Sequence, residues 1–216
     1  MMLSKVKREC TLLAVSLGAG LLFALGVAAY TYVYSDTIQR DIADNVIRFH
    51  VMAHSDYEVD QDLKETVRSE ILAEFASALS VSHSIEETRF KLAENLPAIQ
   101  EYAEKSVRRA GFDYPVTATM STVFFPTRRY NGMAFPPGEY EAVQIIIGDG
   151  EGSNWWCLMF PPLCFVDFSA TEDGRAYMQE ALPENGFRLL TYQEEQSTGL
   201  AVRFRVVEWW QNRRAR

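Results

Sequence analysis

The chain has 216 residues, 48% of them hydrophobic, which is enough for one ordinary domain with a buried core and an additional segment. Its 29 Asp and Glu residues outnumber its 21 Lys and Arg residues, giving a formal net charge of −8. Because an acidic surface repels phosphate backbones, this balance argues against a nucleic-acid-binding protein.

The amino terminus has the pattern of an exported protein. Lys5, Lys7 and Arg8 precede a run from Cys10 to Tyr34 that has no charged side chain. About 20 apolar residues cross a bilayer as a helix, and flanking basic residues stay in the cytoplasm. We therefore expect residues 1–9 to form a cytoplasmic n-region, residues 10–34 a transmembrane or signal segment, and residues 35–216 an exported domain.

Two fates of the apolar segment stay open at this point. The run is longer than the 7 to 15 apolar residues typical of a signal peptide, which favours a retained membrane anchor. The small residues Val27-Ala28-Ala29, however, are of the kind that a signal peptidase accepts. In either case the part that follows the n-region carries 18 basic and 28 acidic side chains, a net charge of about −10.

The first half of the exported part predicts one strand followed by helices. Apolar and polar residues alternate over Asn45–Ala53, which indicates a strand with one buried face. From Asp60 to Leu79 apolar residues recur every four positions, as in an amphipathic helix. Ser84, three residues before a Glu, predicts the cap of a second helix. Pro97 predicts a break or kink before a third helical piece, which ends at Gly111.

The second half is richer in β-branched and aromatic residues, which favour strands. Strands are predicted at Val116–Phe125, Glu139–Ile147, Asn154–Phe160 and Leu200–Trp210, with a short helix at Thr171–Leu182. There is no internal repeat in the sequence, so one exported domain is sufficient. The fold class expected is α+β, with mainly antiparallel strands backed by helices on one side.

The histidines do not predict a metal site. His50 and His54 lie in or beside a strand, where four residues separate side chains by about 13 Å, too far to share one ion. His83 stands in a linker without an identifiable partner. The glycine-rich segment 148–152 lacks the lysine and the following helix of a phosphate-binding loop, and we interpret it as a hairpin loop. No cofactor is expected.

Cys157 and Cys164 are the two cysteines of the exported part. In an oxidising compartment such a pair predicts a disulfide, here across a corner that contains Pro161 and Pro162. Two buried free thiols are an alternative, because free cysteine packs as a small hydrophobic residue. A third possibility is an exported thiol-dependent or cell-wall hydrolase that uses Cys157 or Cys164 as its nucleophile.

Adjacent residues on a strand face opposite ways, so Trp155 and Trp156 are expected on opposite sides of the sheet. One indole would then anchor the core while the other is partly exposed. An exposed tryptophan beside a rigid corner is typical of a protein-binding surface. The alternative is that both indoles are covered and purely structural.

The segments Ile47–Asp56 and Asn154–Phe165 resemble the stage II sporulation protein R family of endospore-forming bacteria. Further matches are Asp62-Leu63-Lys64, Tyr114-Pro115-Val116, Phe125-Pro126-Thr127 and Pro137-Gly138-Glu139-Tyr140-Glu141-Ala142. The resemblance covers roughly Val46 to Asp167 and is weaker after Thr171. His54 departs from the asparagine expected at its position.

The resemblance implies an exported signalling protein and not an enzyme, without a small-molecule substrate. Proteins of this family are made in the forespore and exported into the space between the two membranes. There they stimulate a membrane-embedded aspartic protease of the mother cell, which processes the precursor of a sporulation sigma factor. The expected partner is therefore that protease, and the N-terminal segment lies in the membrane if it is not cleaved.

The expected contact surface combines an aromatic corner with a neighbouring basic turn, since Trp, Tyr and Arg are enriched at interfaces. The candidate partner-binding residues are Asn154, Trp155, Trp156, Pro161, Pro162, Arg128, Arg129 and Tyr130. The alternative is that the Trp and Pro residues are structural and that the partner is contacted elsewhere.

Overall fold

A computed structural model describes residues 2–79, 82, 84–130, 133–164 and 172–195. The elements in chain order are α1 (Met2–Ala43), β1 (Ile47–Met52), α2 (Glu58–Leu79), α3 (Ile85–Arg109), β2 (Val116–Phe125), β3 (Arg128–Tyr130), β4 (Met133–Phe135), β5 (Gly138–Ile147), β6 (Asn154–Phe160), α4 (Glu172–Ala181) and α5 (Glu184–Glu195). The strand predicted at Leu200–Trp210 and the linker residue His83 lie outside the described residues.

Two compact units divide the chain, one up to Arg40 and one from Asp41 onward. The first is most of α1, whose part from Leu12 to Ala43 is long and apolar enough to cross a membrane, a test that a signal sequence also passes. Its large apolar side chains, such as Leu22 and Phe23, are exposed, as the lipid-facing side chains of a spanning helix are. The helix extends beyond the predicted segment 10–34, and an ion pair between Asp36 and Arg40 supports its polar end.

The second unit is built on a four-stranded sheet in the order β2-β5-β1-β6. The β2–β5 and β1–β6 pairs are antiparallel, whereas β1 and β5 run parallel with Phe49 opposite Val143. The expected α+β class with mainly antiparallel strands is confirmed. β1 is buried on both faces, because α2 and α3 pack on one side of it and the β3–β4 pair lies against the other.

One face of the sheet carries the main core. The apolar stripe of α2, including Val67 and Ile71, packs with α3 against the side chains of β1 and β5. Ser84 caps α3 by accepting a hydrogen bond from the backbone N–H of Glu87, as predicted.

The break that is one of the two outcomes predicted at Pro97 does not occur, because α3 runs through this residue as one helix. An interior proline costs a helix about 3 kcal/mol. Leu92 and Ile99, on either side of Pro97, are fully buried in the core, and burial of such a side chain contributes about 2 kcal/mol. Packing of both halves on the same core therefore offsets the cost of the proline.

The other face of the sheet is covered by a small second sheet formed by β3 and β4. Helix α5 contacts β4. The helix α4 agrees with the one predicted at Thr171–Leu182, but neither the β3–β4 hairpin nor α5 was predicted from the sequence. The hairpin sets the environment of Arg48 on β1 and of Trp156 on β6, whose side chains it contacts.

Candidate functional site

The disulfide between Cys157 and Cys164 is present in the structure, with 5.8 Å between the two Cα atoms. It closes a corner after β6, where the backbone N–H of Cys164 also donates to the carbonyl oxygen of Leu158 at 3.1 Å. Because the two sulfur atoms are bonded to each other, neither is a thiol in this structure. The nucleophile required by the hydrolase alternative is therefore engaged in a structural bond.

Pro161 and Pro162 are both buried, and the expectation that they form an exposed edge is wrong. The disulfide joins residues on either side of the two prolines, and the backbone N–H of Leu163 donates to the carbonyl oxygen of Pro161 at 2.7 Å. These two constraints fold the corner inward. The prolines therefore shape the end of β6 from within the domain.

The two tryptophans do point to opposite faces of the sheet. Trp155 lies on the helix side, half-buried, with its ring edge-on to Phe49 at 5.7 Å and the guanidinium of Arg68 4.8 Å from its centre. Trp156 lies on the hairpin side and is only 9% exposed. Trp156 is therefore the indole that anchors the core, covered by Phe125 and Arg128, and Trp155 is the partly exposed one.

Arg48 lies fully buried beneath the hairpin, 0% exposed. The alternation of β1 predicted one buried face and placed Arg48 on the other, polar face. Its guanidinium carbon instead lies 4.1 Å from the ring centre of Phe125 and 4.7 Å from that of Tyr140, with two further rings, Tyr130 and Phe135, within 6 Å. Cation–π attraction to these rings stabilises the buried charge.

A hydrogen bond joins Arg48 to the hairpin. Its Nη2 donates to the hydroxyl oxygen of Tyr130 at 3.0 Å. Tyr130 is half-buried on β3, and its ring packs edge-on to Phe135 of β4 at 5.7 Å. Arg48 therefore anchors the hairpin to the centre of the main sheet.

His50 lies beside Arg48 on the same face of β1 and is 1% exposed. Its ring stacks on Trp156 with 3.9 Å between the ring centres, and the Nε2 atom of Gln144 lies 3.5 Å from its Nδ1. Burial lowers the pKa of His50 to about 4; Asn154 opposes this shift, while the charges of Arg128 and Arg48 add to it. The imidazole is therefore neutral at neutral pH.

Arg128 completes this group from the hairpin. Its guanidinium lies 5.0 Å from the ring centre of Trp156, and burial lowers its pKa, with the charge of Arg48 adding to the effect. We name the group the arginine–aromatic cluster; its members are Arg48, His50, Phe125, Arg128, Tyr130, Phe135, Tyr140 and Trp156. Of the predicted partner-binding residues, the cluster contains Arg128, Tyr130 and Trp156, with Asn154 next to His50.

Arg129 projects from the same hairpin and is exposed. Of the three predicted turn residues it is the most accessible, because Arg128 and Tyr130 are half-buried in the cluster. Trp155 is separated from these residues by the sheet itself. The predicted surface is therefore divided: one part is the hairpin, and another, Pro161 with Pro162, lies inside the domain.

The other histidine of the β1 segment organises a loop. The ring of His54 stacks on Tyr114 at 4.2 Å, and its Nδ1 accepts a hydrogen bond from the backbone N–H of Asp149 at 3.1 Å. Within the described ranges, no group of three or more His, Cys, Asp or Glu side chains is placed to hold a metal ion.

These features define an α+β domain with a disulfide-bonded corner, preceded in the chain by a long apolar helix. The sequence model described as stage II sporulation protein R matches residues 43–170. Stage II sporulation protein R of Bacillus subtilis (strain 168) is 34% identical over 188 residues, which cover 78% of this chain and 81% of the relative. The chain belongs to the stage II sporulation protein R family, whose members are sporulation signalling proteins. No solved structure matches it.

Proposed function

We propose that this protein is exported from the forespore and activates a membrane-embedded aspartic protease of the mother cell, which then processes a sigma-factor precursor. Membership of the sporulation protein R family supports the signalling role. The apolar helix that precedes the domain supports export, and the disulfide suits an oxidising compartment. The space between the two membranes is the compartment in which the domain would meet its partner.

The observation that supports a contact surface on the β3–β4 hairpin is the way in which the hairpin is anchored to the main sheet. A two-stranded hairpin is marginally stable alone, yet here Arg48 holds it through Tyr130 while Arg128 rests on Trp156. Arg129 is thereby presented on a fixed base, exposed, on a domain of acidic net charge. A positioned arginine is a typical interface anchor, because less conformational freedom is lost when the partner binds.

The mechanism we propose is a shift of the protease towards its active form through preferential binding. A partner can shift a conformational equilibrium only by the ratio of its affinities for the two forms. Raising the active form from about 1% to about 99% requires roughly a 10⁴-fold preference. In this proposal the hairpin contacts the protease directly, while Trp156, Pro161 and Pro162 support the surface from inside. Asn154 and Trp155 then act through the packing of β6.

The test is co-purification of the full chain with the membrane protease, combined with measurement of sigma-factor processing. Arg129→Glu should reduce both by at least tenfold while leaving the chain exported and folded, because the side chain is exposed. Arg108→Glu, an exposed arginine on α3, is the matched control and should retain both. Normal processing by the Arg129→Glu variant would contradict the assignment of the hairpin, and failure of the wild-type chain to co-purify with the protease would contradict the choice of partner.

A further inference from the structure

Several buried donors of the arginine–aromatic cluster have no acceptor among the described residues. Nε and Nη1 of Arg48, Nε of Arg128 and Nε1 of Trp156 are all shielded from solvent and lack a hydrogen-bond partner in that part of the chain. Buried polar groups in folded proteins are nearly always satisfied, and the exceptions often mark the place of a bound ion or water. Four such N–H-bearing atoms on three neighbouring side chains make this the strongest concentration of unused donors in the described part of the chain.

The charges of the cluster are unbalanced as well. Among the described residues, no Asp or Glu forms an ion pair with Arg48 or Arg128. Arg89, by contrast, is paired with an acidic side chain: its Nε and Nη2 atoms donate to the carboxylate of Glu141 at 2.8 to 3.0 Å. Two buried or half-buried guanidinium groups that share one cluster without an anion repel each other. Burial is the main cause of the lowered pKa of Arg128, and the charge of Arg48 adds to it.

We propose that the arginine–aromatic cluster is a binding site for a carboxylate group. A carboxylate is small, planar and rich in acceptor positions, and its two oxygen atoms match the paired N–H groups of a guanidinium. Arg128 would meet it first, since this side chain is half-buried at the rim of the cluster, and Trp156 Nε1 and Arg48 would complete the contact from below. His50, neutral because of its burial, adds no competing charge.

Entry to the site requires a small displacement of the hairpin. The β3–β4 pair forms its own sheet, without ladder hydrogen bonds to the four-stranded sheet. It is held on the cluster by the hydrogen bond from Arg48 to Tyr130 and by the contact of Arg128 with Trp156. These are side-chain contacts that can rearrange without loss of the main core. A bound carboxylate would compensate both arginines and fix the hairpin in its new position.

The carboxylate could come from an Asp or Glu side chain of a protein partner or from a small free acid. Both sources present the same carboxylate group to Arg128 and Arg48. The full chain in detergent micelles, labelled with ¹⁵N at its tryptophans, allows both to be tested at pH 7. The indole N–H resonance of Trp156, assigned by its loss in Trp156→Phe, reports on the site directly.

Sodium acetate should shift this resonance in a saturable way, whereas sodium chloride at equal ionic strength should not. Arg128→Gln and Arg48→Met should each weaken the acetate response at least tenfold, and Arg108→Gln should change it by less than twofold. The Met variant keeps the volume of Arg48, so it tests the charge in a cluster that remains packed. A short amidated peptide with one Asp, compared with its Asn counterpart, forms the second arm.

A response to the Asp peptide at concentrations where acetate gives none supports a protein side chain as the ligand. A response to acetate equal to that of the peptide supports a small free acid. The proposal is overturned if acetate and the Asp peptide act no more strongly than chloride and the Asn peptide. It is also overturned if the shift persists unchanged in Arg128→Gln and Arg48→Met.

Discussion

The Nη2 atom of Arg48 lies 3.0 Å from the hydroxyl oxygen of Tyr130, a hydrogen bond between residues 82 positions apart. It connects the central strand of the main sheet to the hairpin that covers it. Arg48 is fully buried, and among the described residues the Tyr130 hydroxyl is the one hydrogen-bond acceptor of its guanidinium. The position of the hairpin, and with it of Arg129, therefore depends on a charge at the centre of the sheet.

Tyr130→Phe should lower the free energy of unfolding by about 1.5 to 3 kcal/mol, the range for a hydrogen bond to a charged group. The measurement is chemical denaturation of the full chain in micelles, followed by circular dichroism. In an Arg48→Met background the same change should cost less than about 0.5 kcal/mol, because the donor is then absent. An equal loss in both backgrounds would show that Tyr130 contributes through its packing and not through this hydrogen bond.

The buried His50 predicts a defined loss of stability in acid. Its pKa is about 4 in the folded chain against 6.5 for the free side chain, so the unfolded state binds a proton between these values and the folded state does not. The contribution of neutral His50 to the free energy of unfolding is present in full above pH 6.5 and is lost as the pH falls towards 4. The loss should be about 1.4 kcal/mol per pH unit, or about 2 kcal/mol between pH 6.5 and 5.

His50→Phe separates this effect from the titration of other groups. Phenylalanine keeps a ring against Trp156 but binds no proton, so the variant should show a flatter dependence of unfolding free energy on pH between 6.5 and 5. Denaturation curves at four pH values in this window are sufficient. Identical slopes in the wild type and the variant would mean that His50 is protonated in the folded chain.

Removal of the disulfide distinguishes a structural role from a catalytic one. Cys157 and Cys164 are separated by seven positions, and cross-linking so short a loop stabilises a fold by about 2 to 3 kcal/mol. Replacing both with serine should lower stability by that amount and leave sigma-factor processing detectable when the variant is overproduced. A hydrolase that uses either sulfur would lose all activity at any protein level, even where circular dichroism shows a folded domain.

Much of the sheet could be predicted from the sequence because its strands have strong local patterns. The boundaries of β2 and β6 agree with prediction, and β1 and β5 differ only at their ends. The parallel pairing of β1 with β5 could not be predicted, since pairing depends on contacts far apart in sequence. The hairpin was missed because its two strands have three residues each, too few to show a period.

The site was predicted only in part, and the errors have one physical origin. A charged residue in an alternating strand indicates a solvent-exposed face, and by that rule Arg48 was placed on the polar side of β1. The alternation also left open which of the two indoles is covered. Arg48 and Trp156 are both buried because a hairpin some 80 positions beyond Arg48 covers that face, which no local pattern around either residue records. Of the three residues of the turn, Arg128 does lie beside Trp156, since its guanidinium contacts the indole ring.

Among the glycines that the structure describes, Gly152 should be the one at which a side chain is least tolerated. Its backbone N–H donates to the carbonyl oxygen of Ala53 at 3.0 Å, and a Cβ atom placed on it would collide with the backbone carbonyl of Ser55. Backbone atoms cannot rotate away, so Gly152→Ala should lower the free energy of unfolding by more than about 2 kcal/mol, because the loop must move away from the end of β1.

Gly111→Ala is the matched control for Gly152→Ala. Gly111 has a φ of 88° but open space around it, so only the conformational cost of about 1 kcal/mol applies. Thermal unfolding of the two variants side by side would measure the difference, and equal costs would show that the loop can move away from the Ser55 carbonyl.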